Sequence, residues 1–206
     1  MQLFFQGDIE ELQSGIAVLA KDLGIQLNQQ GLKVEVVKVD EPTLEVSKTD
    51  DGAIIQFSRN IYFFRAFGLL VETLQNGEEH FSIKEEPQFD LIGPMFDVSQ
   101  GNAAVRVDRF KLMIRKMALM GLGTFMLYGE DSYVVEEQPY FGYMRSKYTP
   151  EEMKELDDYA WQFGIEIIPF MQTLGHLRDV LQWPAFNDIK DNPDNLMVGE
   201  ERTYEF

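Results

Sequence analysis

The stretch TFMLYGED, residues 124–131, decides the fold of this chain. A nearly continuous apolar run from Thr124 to Tyr128 is followed by Gly129 and then by two adjacent acids, Glu130 and Asp131. A short run that is apolar on both faces is typical of a parallel strand covered by helices. Polar groups that directly follow such a strand lie at its carboxyl end, where α/β barrels place their functional side chains. The stretch therefore predicts a parallel sheet with a functional edge.

The same pattern occurs once before this stretch and once after it. The run LIGPMF, residues 91–96, leads into Asp97, and the run IEIIPF, residues 165–170, leads into Gln172 and His176. Two amphipathic helical stretches separate the three runs, and Gly121 and Gly164 end them. Asp108 can cap the first of these helices, and Thr149 with Glu152 predicts a capping box at the start of the second. We therefore predict an α/β protein: a small α+β N-terminal domain followed by an incomplete (β/α)8 TIM barrel of about three βα units.

The first part of the chain has a different pattern. Asp8 is a favourable helix N-cap, and Glu11 completes a capping box ahead of a first amphipathic helix. An Asp-Gly turn at residues 51–52 predicts a hairpin, and a second helix is expected over residues 59–75. The stretch EEPQ, residues 85–88, is a plausible junction. We predict a support domain at residues 1–85 and the first portion of a catalytic barrel at residues 86–206.

Composition excludes several classes of protein. The 206 residues carry a net charge of −17, which repels phosphates, so we expect no nucleic-acid partner. The chain has no cysteine, which excludes disulfides, thiolate nucleophiles and cysteine-based zinc sites. No zinc-ligand or nucleophilic-serine spacing is present, and we expect no metal and no cofactor. No apolar run approaches the roughly 20 residues that span a bilayer, so we expect a cytoplasmic protein without a membrane partner.

Each ionisable group after a predicted strand has a functional and a structural interpretation. Asp97 is a candidate for substrate contact, or a carboxylate that accepts backbone hydrogen bonds in its own turn. Glu130 and Asp131 are candidates for orienting a histidine or binding hydroxyl groups, or for capping a helix. His176 is a candidate for tuning a further acid, because it follows a strand, although a lone histidine is more often structural.

Aromatic residues are frequent in the loops that follow the predicted strands. The faces of aromatic rings pack well against the apolar faces of sugar rings. Ordinary packing within the loops explains the presence of these residues equally well. The set comprises Tyr128, Tyr140, Phe141, Tyr143 and Trp183.

Several motifs, in order, resemble glycoside hydrolase family 20. They are GPMFDVS (residues 93–99), MALMG through LYGED (117–131), PYFGYM (139–144) and QTLGHL (172–177). The similarity is greatest to bacterial β-N-acetylhexosaminidases that have a small α+β domain before the barrel.

The resemblance implies a glycosidase of carbohydrate metabolism that removes terminal N-acetylglucosamine or N-acetylgalactosamine from a glycan. It implies substrate-assisted, retaining hydrolysis, in which the acetamido oxygen of the substrate attacks the anomeric carbon. The family's catalytic Asp-Glu pair follows the fourth barrel strand, which this chain does not reach. We therefore expect the chain to contain no catalytic residue of the pair and to be inactive alone.

The resemblance also assigns roles to residues of this chain. Glu130 or Asp131, with His176, corresponds to a hydrogen-bonded relay that supports the catalytic Glu. Asp97 matches a first-strand acid near the sugar, and we place Tyr128 and Gln172 among the substrate-binding residues.

Two positions depart from the family pattern. Ile92 stands where many members have an arginine that binds sugar hydroxyls. Gln100 stands where an arginine often follows the Asp-Val-Ser segment.

Two other hypotheses remain open. The chain could be a non-catalytic sugar-binding or interaction module on a partial barrel scaffold, or part of a different barrel hydrolase. The sequence leaves the linkage, the choice of sugar and the oligomeric state open.

Overall fold

A computed structural model describes residues 1–99 and 105–205 of the chain. The chain forms two compact units. Unit 1 comprises Met1–Pro94, Lys111–Thr124 and Asp158–Glu166, and unit 2 comprises the remaining described residues. The architecture is mixed α/β, as predicted. The proposed domain boundary between residues 85 and 86 stays a prediction.

The N-terminal part of unit 1 is a six-stranded mixed sheet with two helices. Its sheet order is β2-β1-β3-β5-β4-β6, with β1, β2, β3 and β5 parallel and with β4 antiparallel to its two neighbours. A 3₁₀ turn at Glu10–Leu12 precedes the first helix. The elements are β1 (Gln2–Gly7), α1 (Gln13–Asp22), β2 (Gln26–Leu27), β3 (Leu32–Lys38), β4 (Leu44–Thr49), β5 (Gly52–Phe57), α2 (Asn60–Gln75) and β6 (Phe81–Glu85).

One face of this sheet is buried, because apolar residues alternate along its strands. Leu3 and Phe5 of β1 are buried and alternate with exposed or half-buried residues, and β3 repeats this pattern with Val34 and Val36. On the opposite face, Ile54 of β5 is exposed. The predicted hairpin is confirmed, since Thr49 pairs with Gly52 across the turn between β4 and β5.

Helix α2 is buried on more than one face, which explains its high apolar content. Phe63 and Phe67 pack edge-on against Phe5 of the sheet, with ring centroids 6.0 and 5.2 Å away. On another side, the ring of Phe64 meets the ring of Phe163 at 5.2 Å. Unit 1 therefore has a continuous aromatic core that reaches from the sheet to residues late in the chain.

The second part of the chain alternates strands and helices. A three-stranded sheet has the order β7-β8-β9, and β10 pairs with β11 in a short antiparallel ribbon. The elements are β7 (Met95–Asp97), α3 (Val107–Met120), β8 (Thr124–Tyr128), α4 (Pro150–Trp161), β9 (Glu166–Phe170), α5 (Arg178–Leu181), β10 (Lys190–Asn192) and β11 (Asn195–Leu196).

The three strands of this sheet run in the same direction. Strands β7 and β8 are parallel, with Met95 opposite Met126 and Asp97 opposite Tyr128. Along the other edge of β8, Gly129 N donates to Phe170 O at 3.2 Å, at the carboxyl ends of β8 and β9. Because the strands are parallel, their carboxyl ends lie at one edge of the sheet.

Three predicted helix starts have different outcomes. The capping box of α4 is confirmed: Glu152 N donates to Thr149 Oγ1 at 3.2 Å, and Thr149 N donates to Glu152 Oε2 at 2.9 Å. The predicted Asp8 cap is wrong, since its carboxylate accepts from Lys38 N on the neighbouring strand. Asp108, also expected to cap, lies inside α3 and binds Arg106 instead.

The segment after β9 forms a small core with the long loop that follows β8. Phe141 of that loop packs with Leu177, Leu181, Phe186 and other buried residues. A 3₁₀ turn lies near the end of the chain, at Glu201–Tyr204. Among the described residues, no helix has the length and apolarity needed to cross a membrane.

Candidate functional site at the carboxyl ends of the parallel strands

The structure brings four of the predicted site residues to one edge of the three-stranded sheet. Asp97 is the last residue of β7 and lies opposite Tyr128, the last residue of β8. The ring of Tyr128 lies 5.5 Å from that of Phe170, at the end of β9. Glu130 and Gln172 follow β8 and β9 by two residues each. The strand-end pattern in the sequence therefore corresponds to a real cluster in space.

A hydrogen-bond chain connects three of these side chains. Gln172 Nε2 donates to the hydroxyl of Tyr128, and that hydroxyl donates to Glu130 Oε1 at 3.2 Å. Burial raises the pKa of Tyr128, and the negative charges of Glu130 and Asp97 raise it further. The phenol therefore stays protonated at neutral pH and remains a hydrogen-bond donor. We call these three residues, with Asp97, the strand-end cluster.

Glu130 is held in an unusual backbone conformation. Its φ of 39° is in the left-handed region, which a residue with a side chain rarely adopts. The residue is buried, and the tight turn aims its carboxylate at Tyr128. Such strain persists only where the surrounding structure enforces it, and it is concentrated at functional sites.

Asp97 is part of a local turn. Its Oδ1 accepts from Ser99 N at 2.8 Å and from Ser99 Oγ at 2.6 Å. These hydrogen bonds are the ones expected if the Asp97 carboxylate stabilises its own turn. The side chain is nevertheless exposed at the strand end, so a role in sugar binding stays a prediction.

Asp131 is bound to an arginine that sequence analysis did not identify. Its carboxylate is buried, and its Oδ1 lies 3.5 Å from Arg145 Nε. Arg145 also reaches Asp179 Oδ2, so it joins the loop after β8 to helix α5. Burial raises the pKa of Asp131, and the charge of Arg145 opposes that rise. Neither Asp131 nor Glu130 caps a helix, since α4 begins with the Thr149 cap.

The sequence indicated a partner for Asp131 only indirectly. An acid directly after an apolar strand needs a cation or several donors if it is buried. Arg145 follows the aromatic loop PYFGYM, and nothing in local spacing pairs it with Asp131 or Asp179.

His176 lies in the segment that follows β9, between Gln172 and α5. The residue is exposed and has a φ of 64°. It lies close enough to Asp194 to contribute to the lowering of the pKa of that carboxyl, which Arg178 lowers most. The part of His176 in a relay stays a prediction.

The departures from the family pattern lie close to this site in sequence. Ile92 is exposed, and its carbonyl accepts from Thr124 N at 3.1 Å. Gln100 lies outside the described residues. Within residues 1–99 and 105–205, no three acidic, histidine or cysteine side chains are arranged to hold a metal ion.

The fold and the strand-end cluster define an α/β protein of the kind that places functional side chains after parallel strands. No family model and no curated protein sequence matches the chain. Solved structures do match it. A chitobiase from Flavobacterium johnsoniae has a TM-score of 0.74 at 19% identity, over 100% of this chain and 38% of that one.

Two further solved structures are similar to the same degree. An exo-β-N-acetylglucosaminidase of glycoside hydrolase family 20 from Vibrio harveyi, in complex with N-acetylglucosamine, has a TM-score of 0.76 at 17% identity, over 100% of this chain and 40% of that one. A mutant β-hexosaminidase from Streptomyces plicatus, in complex with the product GlcNAc, has a TM-score of 0.77 at 18% identity, over 99% of this chain and 50% of that one.

The resemblance to glycoside hydrolase family 20 is therefore confirmed at the level of the fold. The chain spans half or less of the length of these three structures.

Proposed function

We propose that this chain is part of a glycoside hydrolase that removes terminal N-acetylhexosamine from glycans by substrate-assisted, retaining hydrolysis. The observation that carries the proposal is the hydrogen-bond chain from Gln172 through Tyr128 to Glu130 at the carboxyl ends of parallel strands. A fold shared with β-N-acetylhexosaminidases supports it. In this proposal the three strands, with α3 and α4, are the first units of a (β/α)8 barrel.

The strand-end cluster suits a sugar for chemical reasons. The protonated Tyr128 has a hydroxyl that can donate, and Gln172 has both an amide oxygen and an amide nitrogen. Asp97 adds an exposed carboxylate at the neighbouring strand end. Pyranose hydroxyls need paired donors and acceptors of this kind. We assign Tyr128, Gln172 and Asp97 to substrate binding, and Glu130, Asp131 and His176 to support of a catalytic acid.

The chemical step needs groups that this chain is not expected to contain. In substrate-assisted hydrolysis, an Asp polarises the acetamide while a neighbouring Glu protonates the leaving oxygen. We assign both groups to polypeptide that follows this chain in the whole protein. The strand-end cluster then positions the sugar, so that the acetamido oxygen faces the anomeric carbon.

The test compares two purified proteins, the 206-residue chain and a longer polypeptide from the same gene that extends through at least one further strand–helix unit. With 4-nitrophenyl β-N-acetylglucosaminide, we expect no turnover by the short chain and turnover by the longer one. Turnover by the short chain would refute the assignment of the catalytic pair, and a folded but inactive full-length protein would refute the function.

A matched pair of variants tests the strand-end cluster in the longer polypeptide. Tyr128→Phe removes the hydroxyl that joins Gln172 to Glu130, and we expect it to lower kcat/KM by about tenfold or more. Tyr140→Phe removes the hydroxyl of an exposed tyrosine outside the cluster and is expected to leave kcat/KM unchanged. Equal activity of the two variants would remove Tyr128 from the site.

One observation favours the alternative of a non-catalytic sugar-binding module. Tyr140, Tyr143 and Trp183 form a partly exposed group of rings, with the centroids of Tyr143 and Trp183 4.9 Å apart. Exposed aromatic faces bind the apolar faces of sugars. Saturable binding of N-acetylglucosamine by a full-length protein without hydrolysis would favour this alternative, and calorimetry measures it.

A further inference from the structure

Arg145 lies between two carboxylates in unit 2. Its Nε lies 3.5 Å from Oδ1 of Asp131, and its Nη2 lies 2.5 Å from Oδ2 of Asp179 in α5. The side chain of Asp131 is 4% exposed, whereas that of Asp179 is 43% exposed. One guanidinium group therefore binds two acids that differ strongly in their access to water.

The backbone of the loop after β8 fixes the position of Arg145. Arg145 N donates to Gly142 O at 3.0 Å, and Tyr148 N donates to Ser132 O at 2.9 Å. Gly142 packs closely on the turn after β8, since a Cβ there would lie 2.0 Å from Asp131 O. Backbone contacts before and after Arg145 in the sequence therefore place its guanidinium group beside Asp131.

The groups around Asp131 act on its carboxyl in opposite directions. Burial raises the pKa of Asp131, Arg145 and a backbone hydrogen bond lower it, and the negative charges of Asp179 and Glu130 raise it. Tyr133 also faces this carboxylate, and burial and the charge of Asp131 raise the pKa of its phenol, which stays neutral. Arg145 is the one cation among these groups, and Asp179 opposes its effect.

We propose that Arg145 is a positioning residue that keeps the Asp131 carboxylate ionised and in place, and that Asp179 competes with Asp131 for the same guanidinium group. The inference rests on the proposed function, in which Asp131 supports a catalytic acid, and it adds a means of setting the pH range of that site. An ionised carboxylate only accepts hydrogen bonds, whereas a protonated one also donates. Protonation of Asp131 therefore changes how it orients a neighbouring group.

Titration of Asp131 in the 206-residue chain tests this competition without catalysis. Aspartate carboxyl carbons are labelled with ¹³C, the Asp131 signal is assigned by its loss in Asp131→Asn, and NMR follows it as the pH is lowered. Arg145→Met should raise the midpoint of the Asp131 titration, because a nearby positive charge is removed. Asp179→Asn should lower this midpoint, because a negative charge is removed while an amide oxygen remains to accept from Arg145.

The variants also separate the ionic effect from a loss of structure. Asp179→Asn keeps the pair of Asp131 and Arg145, so a lower midpoint in this variant does not come from unfolding. Asp191→Asn removes the same charge from an exposed residue of β10 and should leave the Asp131 midpoint unchanged. Arg145→Lys keeps the positive charge and should restore most of the wild-type midpoint. Equal midpoints in the wild type, Arg145→Met and Asp179→Asn would overturn the inference.

The longer polypeptide tests whether this charge matters for hydrolysis. The kcat/KM for 4-nitrophenyl β-N-acetylglucosaminide is measured from about pH 4 to about pH 9. The acidic limb of the profile should move to higher pH in Arg145→Met and to lower pH in Asp179→Asn. At about pH 5, Arg145→Met should therefore lose about tenfold more of its maximal kcat/KM than the wild type. Lower activity with an unchanged profile would show a purely structural role and overturn the inference.

The two measurements separate this inference from the proposed function. Absence of turnover by the longer wild-type polypeptide overturns the function, whereas opposite NMR shifts in Arg145→Met and Asp179→Asn still support the ionic competition at Asp131. Turnover with the same pH profile in all variants leaves the function standing and overturns the inference.

Discussion

Asp131 shows at the scale of single residues how a buried charge constrains this site. Its carboxylate is out of water, and the nearest cation, Arg145, is itself only partly exposed. Removing one partner of such a pair is strongly destabilising, because the other charge stays buried without compensation. Arg145 also binds Asp179, so it connects the loop after β8 to helix α5.

We therefore predict that Arg145→Met lowers the free energy of unfolding by about 2 kcal/mol. Adding Asp131→Asn to that variant should restore part of the loss, since the uncompensated charge is then gone. Urea denaturation of the two single variants and the double variant measures the coupling.

Arg202→Met serves as the control, because Arg202 forms exposed ion pairs with Glu200 and Asp188. Exposed pairs contribute little, so this change should have a small effect. Additive effects of Arg145→Met and Asp131→Asn would contradict the coupling.

Tyr148 gives the chain a specific alkaline sensitivity. The side chain is buried, its hydroxyl donates to Val105 O at 2.7 Å, and burial raises its pKa to about 12. In the unfolded chain the phenol ionises near pH 10. The neutral form is thus favoured by folding, and its contribution is complete below about pH 10 and is lost as the pH rises towards about 12.

We predict that the wild-type chain loses more stability between about pH 10 and about pH 11 than Tyr148→Phe, by about 1 kcal/mol. Phenylalanine keeps the packing against Phe110 but has no proton to lose. Urea denaturation at several pH values measures the difference between the two slopes. Parallel slopes would show that Tyr148 titrates in the folded state as it does in water.

Helix α4 shows at the scale of elements how a local signal starts a helix. Thr149 and Glu152 satisfy each other's backbone N–H groups, so two donors that have no partner within the helix are bonded. Local sequence alone did not identify the caps of α1 and α3, because the carboxylates of Asp8 and Asp108 bind other groups. An aspartate caps a helix only when no stronger partner lies within reach.

We predict that Thr149→Ala lowers the free energy of unfolding by about 1 kcal/mol, the usual effect of losing an N-cap. Thermal denaturation followed by circular dichroism measures it. Thr173→Ala is the matched control, because Thr173 is exposed and makes no side-chain hydrogen bond to the residues that the structure describes. If Thr149→Ala and Thr173→Ala lowered the free energy of unfolding equally, the hydrogen bonds of the cap would contribute nothing of their own.

Gly142 is a second element-scale constraint, in the loop after β8. Its φ of 61° is left-handed, and a Cβ there would lie 2.0 Å from the carbonyl oxygen of Asp131. The loop therefore closes tightly on the residues that follow the strand. This close approach explains why a glycine stands within the PYFGYM motif.

The net charge of −17 acts at the scale of the whole molecule. Like charges repel within a folded chain, and salt screens this repulsion over a Debye length of about 30 Å at 0.01 M and about 10 Å at 0.1 M. We predict that raising NaCl across this range increases the thermal midpoint by about 2 °C or more. Differential scanning calorimetry measures the midpoint. A lower midpoint in salt would show that ion pairs outweigh the net repulsion.

Much of the fold could be predicted from the sequence, because its signals are local. The run from Thr124 to Tyr128 is a strand with the predicted bounds, and the Asp-Gly turn forms the predicted hairpin. Apolar periodicity fixes which face of an element is buried, and turn residues fix where it ends. The sequence predicted that the polar clusters after the three strands, marked by Asp97, Glu130 and His176, converge, because parallel strands share a carboxyl edge. Asp97, Tyr128 and Gln172 lie at that edge.

Only the tertiary structure decided which side chains bond to one another at that edge. Arg145 binds Asp131 and Asp179, and Gln172 bonds to Tyr128, across separations that no periodicity reports. The reason is physical: local propensities set the direction of the chain, whereas pairing of buried polar groups depends on which distant segments packing brings within about 3 Å.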